Sequence, residues 1–141
     1  MIPKYRAWDV LAEEMIDEVL MISFVRKEII GKFRNGYTSV PLKFEDKRNG
    51  EDVILMQSTG LVDKNGKEIF EGDIITDGHT IGILRNHQTL GFYMVDEKGK
   101  ENFLSDTVDT EGFEEAKEFM KNSIEIIGNI YENPELLEVK E

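Results

Sequence analysis

Turn residues break the second half of this chain into runs too short for helices. Residues 53–57, 61–62, 68–70, 73–76, 80–85, 91–95 and 101–104 are rich in β-branched and aromatic side chains. Between them stand Asp63-Lys64-Asn65-Gly66-Lys67, Asp77-Gly78, Asn86-His87-Gln88 and Glu97-Lys98-Gly99. Such spacing predicts short strands joined by tight turns, the last four strands forming an antiparallel meander. Asn65-Gly66 further predicts a type I′ hairpin turn, because both residues tolerate positive φ.

One stretch changes period. Phe113, Ala116, Phe119 and Met120 fall on one face at helical spacing, with acids toward the start and Lys121 at the end, so a single helix is expected near residues 111–121. Residues 123–131 return to strand through Ile124, Ile126, Ile127, Ile130 and Tyr131. Asn133-Pro134 then reads as a helix cap followed by proline at the first helical position, starting a terminal turn that carries Leu136 and Leu137. At the other end, residues 4–9 read as a strand. Residues 11–24 fit helical spacing through Leu11, Met15, Val19 and Ile22 as well as they fit a strand centred on 19–24, and the strand is favoured. Residues 28–33 and 37–44 follow as strands around Asn35-Gly36.

Charge divides the chain. Residues 1–50 carry net +1 and residues 51–141 net −13, with a polar seam at residues 47–52. The expected organisation is a small N-terminal β subdomain over 1–50 and a second β subdomain over 51–141 with the helix inserted. The overall charge of −12 repels phosphate backbones and anionic lipid, which disfavours generic nucleic-acid or membrane-surface binding. No cysteine occurs, so disulfides and thiolate chemistry are absent. The most apolar run, residues 19–25, is far shorter than the roughly 20 residues a membrane helix needs. It also follows Glu13, Glu14, Asp17 and Glu18, where a signal peptide carries bases. The expectation is a cytoplasmic protein with no membrane contact.

Candidate chemistry is sparse. His79 and His87 are the two histidines, and eight residues apart on one strand they would share a face, which raises a metal-dependent hydrolase as an alternative. No H-x-x-x-H or two-histidine-one-carboxylate spacing accompanies them, and nothing calls for a cofactor. A basic stretch over residues 26–48 contains Arg26, Lys27, Lys32, Arg34, Lys43, Lys47 and Arg48 against Glu28, Glu45 and Asp46, with Phe33 and Tyr37 interleaved. Bases with aromatics can hold a single-stranded nucleic acid by charge and stacking, although such a stretch is more often a solvated sheet face. Trp8 reads as a core or interface anchor. Trp8, Arg26, Lys27, Lys32, Arg34 and Tyr37 are therefore the candidate partner-binding residues; no residue stands out as catalytic.

Three blocks carry a resemblance. Lys4-Tyr5-Arg6-Ala7-Trp8-Asp9 with Met15, the run over residues 56–75 containing Asp63-Lys64-Asn65-Gly66-Lys67-Glu68 and Glu71-Gly72-Asp73-Ile74-Ile75, and Ile127-Gly128-Asn129-Ile130-Tyr131-Glu132-Asn133-Pro134-Glu135-Leu136 together resemble the YopX family. The resemblance implies a small, mainly β protein encoded by phages and prophages of bacteria, with an SH3-like barrel in its second part. The family has no established activity, so it brings no catalytic residue with it. The resulting expectation is a non-enzymatic binding or assembly module whose partner is a host or phage protein. Homo-oligomers are expected as well: residues 19–25 are more apolar than a half-exposed strand needs, so they read as an edge that pairs with its copy, with residues 19–33 and Trp8 at the interface.

Overall fold

A computed structural model describes residues 4–44, 52–87, 91–103 and 110–137. In chain order the elements are β1 (Tyr5–Asp9), β2 (Glu14–Ser23), β3 (Glu28–Phe33), β4 (Leu42–Lys43), β5 (Val53–Val62), β6 (Glu68–Phe70), β7 (Asp73–Thr76), β8 (Ile81–His87), β9 (Gly91–Asp96), β10 (Glu101–Phe103), α1 (Thr110–Ser123) and β11 (Glu125–Asn129), followed by a 3-10 turn over Pro134–Leu137. The protein is mainly β. It divides into two compact units, residues 1–57 and 58–141, with the division inside β5. Of the charge seam at 47–52, residues 47–51 lie outside the described residues. Among the described residues no helix is long and apolar enough to cross a membrane.

The first unit is an antiparallel sheet in the order β4-β3-β2-β1-β5. Residues 11–24 resolve as strand over Glu14–Ser23, because the alternation of side chains lets Ile16 join Ala7, Ile29, Val53 and Phe44 in one buried cluster. A helix would have spread those side chains around its circumference. The strand expected over 37–44 is shorter than its composition suggests: only Leu42–Lys43 pairs as β4, while Thr38 makes a single bridge to Lys32. The β1–β2 turn is held by Asp9, whose Oδ1 accepts the Ala12 N–H at 2.9 Å. Gly31 on β3 lies so close to β2 that an added Cβ would collide with the Ile16 side chain and meet the Glu18 carbonyl at 3.0 Å.

The second unit begins with the latter part of β5, which pairs with β6 across Gly60, a residue at φ +78. The Ser58 hydroxyl donates to the Glu68 carboxylate, and the Thr59 hydroxyl donates to the Ile69 carbonyl at 2.8 Å. The expected meander is present as β7-β8-β9-β10, and β11 returns to lie against β7, giving the order β10-β9-β8-β7-β11. Among the described residues β10 and β11 are not paired with each other. The core gathers Leu61, Ile69, Ile75, Leu84, Met120 and Ile124. The helix delivers Met120 to this core but leaves Phe119 54% exposed, so the apolar face expected from spacing is narrower than the sequence suggests. The side chains of Phe113 and Ala116 lie outside the described residues.

The β5–β6 turn corrects the type I′ expectation. Gly66 is at φ +80, but Asn65 is not among the residues of positive φ. The turn is a three-residue connection with glycine in the left-handed position, the commonest alternative to the two-residue hairpin. Asp63 selects it. Its Oδ1 accepts the N–H groups of Asn65 and Lys67, each at 2.9 Å, while Oδ2 accepts the N–H of Ile126 on β11 at 3.0 Å. Burial pushes this carboxyl up, but the N–H groups of Ile126, Lys67 and Asn65, with the Lys67 charge, outweigh it and hold Asp63 below its ordinary value of 3.8.

Two outcomes follow for stability. Asp63→Ala strands three N–H groups and is expected to cost about 3 kcal/mol in urea denaturation. Since the folded-state value is depressed, the carboxylate's contribution is fully present above 3.8 and is lost as pH falls through the lower folded value, so the wild-type and variant curves converge in strong acid. Gly31→Ala is expected to cost roughly 1–3 kcal/mol, from overpacking against Ile16 and Glu18.

Candidate functional site

The site grows out of a disagreement between neighbouring strands. β1 stays with β5 along its whole length, from Asp9 opposite Val53 to Tyr5 opposite Gln57. With β2 it makes only three register pairs, Asp9 with Glu14, Trp8 with Met15 and Ala7 with Ile16. β2 then follows β3 instead, as far as Ser23 opposite Glu28, and its register shifts twice on the way, between Ile16 and Glu18 and between Val19 and Met21. Asp17 and Leu20 are the extra residues. Such bulges bend a strand and re-aim its side chains.

β1 and β2 therefore part beyond the Ala7–Ile16 pair. Among the described residues no strand pairs with the β1-facing edge of residues 17–23. The opening is a groove of about 550 Å³ lined by Lys4 and Tyr5 on one side and by Glu18, Val19, Leu20, Ile22 and Phe24 on the other. Its apolar floor is anchored by rings: Tyr5 meets Phe24 edge-on with centroids 6.5 Å apart, and Phe24 meets Phe44 at 6.1 Å. Val19 and Ile22 pack on the buried cluster of the unit, while Leu20, Met21, Phe24 and Val25 remain exposed. An apolar groove of this kind, lined also by Lys4 and Glu18, is the feature of a protein surface that marks an interaction site.

The residues singled out from sequence are dispersed around this groove. Arg26 and Lys27 form the β2–β3 turn, where the Arg26 N–H donates to the Ser23 hydroxyl at 3.1 Å and Lys27 adopts φ +58. Lys32 lies directly across from Glu18, and Lys43 directly across from Glu28. Arg34 holds Asp17 with two hydrogen bonds, of 2.9 and 3.2 Å. The basic stretch is thus interleaved with acids from the neighbouring strands, which the linear sequence does not reveal. Lys47, Arg48, Glu45 and Asp46 lie outside the described residues. Tyr37 is exposed in a turn, its N–H donating to the Asn35 side chain, whereas Phe33 packs on the core. Trp8 sits on β1 between Met15 and Ile54, two strands away from β3. Among the described residues these positions do not stack Phe33, Tyr37 and Trp8 into one aromatic platform.

The histidines do not share a face of one strand. His79 is exposed in the turn before β8, its N–H donating to Asp77 Oδ1 at 2.8 Å, and His87 ends β8. At about 3.3 Å per residue the length of β8 puts them some 20 Å apart, far beyond what two ligands of one ion can span. The N–H groups of Thr80 and His79 hold the Asp77 carboxyl below its ordinary value, so this aspartate serves the turn. Among the described residues no three of His, Cys, Asp or Glu gather at metal-binding distance.

These features define a class: a mainly β protein of two antiparallel units, one of which opens an apolar groove beside a bulged strand. The chain belongs to the YopX family, whose model, described as YopX protein, matches residues 4–138. The resemblance carried by the three sequence blocks is therefore a family membership. The fold is also similar to the crystal structure of protein EF1440 from Enterococcus faecalis, with a TM-score of 0.63 and 29% identity over 98% of this chain and 99% of that one. None of the curated proteins matches the chain.

The interleaving of charge has a measurable consequence. The Arg34–Asp17 pair is solvent-exposed on both sides, so Arg34→Ala is expected to lower stability by no more than about 1 kcal/mol, and the difference should shrink in molar salt.

Proposed function

We propose that this protein is a non-enzymatic binding or assembly module that works through the groove between β1 and β2. The observation that carries this reading is the apolar lining of the groove by Val19, Leu20, Ile22 and Phe24, beside a stretch of β2 that no described strand pairs with on the β1 side, in a chain otherwise rich in charge. A strand edge offers main-chain hydrogen bonds, and alternate apolar pockets beside it supply specificity. Neither alternative chemistry gains comparable support. The two histidines stand at opposite ends of β8, and the bases of β3 and β4 face acids.

The finer elements of the reading rest on the family. Its phage and prophage setting supports a role in the cytoplasm of a bacterial host, with a host or phage protein, or a further copy of the chain, as partner. For the second unit we propose the SH3-like barrel arrangement, supported by the return of β11 to β7 after the four-strand meander.

The test is a single substitution. Leu20→Asp places a charge in the groove at a position that is already 47% exposed, so folding should change by no more than about 1 kcal/mol. Tagged wild-type protein, expressed in a bacterial cell beside an untagged copy, is expected to retain chains that the variant loses. An identical set of co-purified chains from both would overturn the proposal.

A further inference from the structure

We infer that Asn35 is a site of spontaneous chemical modification, converting to aspartate and isoaspartate in the folded protein, whereas Asn65, the same residue in the same kind of turn, is kept as the amide. The inference does not depend on the groove.

Two turns of this chain share one backbone pattern. In Phe33-Arg34-Asn35-Gly36-Tyr37 the Phe33 N–H donates to the Tyr37 carbonyl at 2.8 Å, and the Gly36 N–H to the Phe33 carbonyl at 2.9 Å. In Asp63-Lys64-Asn65-Gly66-Lys67 the Asp63 N–H donates to the Lys67 carbonyl at 2.8 Å, and the Gly66 N–H to the Asp63 carbonyl at 3.0 Å. The two glycines stand at φ +94 and +80, and both asparagines are exposed. Backbone and solvent access therefore do not separate the sites. The first residue of each turn does.

An asparagine followed by glycine is open to attack by its own main chain, because glycine has no Cβ to obstruct the approach. The glycine nitrogen gives up its proton to solvent base and forms a bond to the asparagine Cγ, pushing the carbonyl electrons onto Oδ1. Collapse of that oxyanion breaks the Cγ–Nδ2 bond. Ammonia leaves with a proton taken from water, and a cyclic imide remains. Water then opens the imide at either of its carbonyls, leaving aspartate or isoaspartate. In sum, an amide and water become an acid and ammonia, with no enzyme, metal or oxidant.

The charge of the transition state gathers on Oδ1, so the groups around that atom set the rate. The Tyr37 N–H donates to Asn35 Oδ1 at 3.0 Å, the distance at which a backbone donor stabilises an oxyanion. Its counterpart in the second turn, the Lys67 N–H, donates instead to Asp63 Oδ1 at 2.9 Å, as does the Asn65 N–H. The donor is thus committed to a carboxylate, whose own negative charge opposes the formation of another beside it. Phe33, at the place of Asp63, packs on the core and brings no carboxylate. Conversion at Asn35 adds a negative charge next to Arg34, which holds Asp17. The isoaspartyl product also lengthens the main chain by a methylene inside the turn that closes β3.

Cleavage after glutamate places Asn35 on the peptide 29–45 and Asn65 on the peptide 52–68, both apart from Asn49. The purified chain, held for days at body temperature in mildly alkaline buffer, is analysed by mass spectrometry of these peptides. Peptide 29–45 is expected to gain the acid as paired aspartyl and isoaspartyl products, the latter methylated by an isoaspartyl methyltransferase, roughly tenfold faster than peptide 52–68. In denaturing guanidinium chloride the two rates should become similar. Tyr37→Pro, which deletes the N–H that Asn35 accepts, is expected to slow conversion at Asn35, and Tyr37→Ala, which keeps it, to leave the rate unchanged. Circular dichroism shows whether each variant is folded. No conversion at Asn35, equal or faster conversion at Asn65 in the folded chain, or a difference that persists in denaturant overturns the inference, whatever the variants do. A folded Tyr37→Pro that converts as fast as the unmodified chain overturns it as well.

Discussion

The carboxylate of Asp63 is the interaction on which the second unit depends. Comparison with Asp96 shows what is special about it. Both aspartates begin a turn of the form Asp-x-x-Gly-Lys, and both use one oxygen to accept the N–H groups two and four residues ahead, at 2.9 Å in each case. Gly66 and Gly99 take the same left-handed backbone, at φ +80 and +81. At Asp96 the described bonds end with the turn. At Asp63 the second oxygen continues to Ile126, and the Lys64 N–H reaches the Ile124 carbonyl at 2.8 Å. A common local turn has become the attachment of β11. Once β11 is held, Ile124 is positioned in the core beside Met120, Leu61 and Ile69.

The first unit is governed by a conflict of register. β2 has more residues than β3 can match, and the surplus is absorbed at Asp17 and Leu20. Each surplus residue is put to use: Asp17 reaches Arg34, and Leu20 turns into the groove. The same bending removes β2 from β1 and leaves the Tyr5, Phe24 and Phe44 rings stacked edge to face where the two strands diverge. Gly31 permits this, since β3 could not approach Ile16 so closely with any larger residue.

Much of this fold was legible in the linear sequence, and what was not has definable causes. Turn dipeptides and β-branched runs locate β6 to β11 within a residue or two, whereas the runs expected separately at 53–57 and 61–62 are one strand, β5. They are local signals, and turn chemistry acts locally. The hairpin type was misread because Asn-Gly was weighed without Asp63, whose side chain rather than the Asn65 backbone decides the turn. Phe119 was assigned to the core because periodicity identifies a face but not its width. For the site, the apolar run at 19–25 was visible, but it was read as a sheet edge. β2 in fact lies between β1 and β3, and only its second half lacks a described partner strand on the β1 side. Bulges leave no mark in composition, so the divergence that creates the groove could not be read. The surroundings of the basic stretch were hidden for a related reason: the acids that face it, Asp17 and Glu18, belong to a different strand.

The bond from Ile126 to Asp63 joins residues 63 positions apart, and that span has a bearing on how the chain acquires its structure. Turns such as those at Asp63, Asp77 and Asp96 need only a few neighbouring residues, so their hairpins can nucleate early. Closing a long loop requires the intervening chain to be collected first, and contacts of this range form slowly. During synthesis Asp63 emerges well before β11, at a translation rate of roughly 5–20 residues per second. For several seconds its Oδ2 has water as its partner, and the β7 edge that β11 will cover is open. The nascent chain thus passes through an interval in which the meander exists without its last strand, and β11 completes the unit only after the meander and α1 have been made.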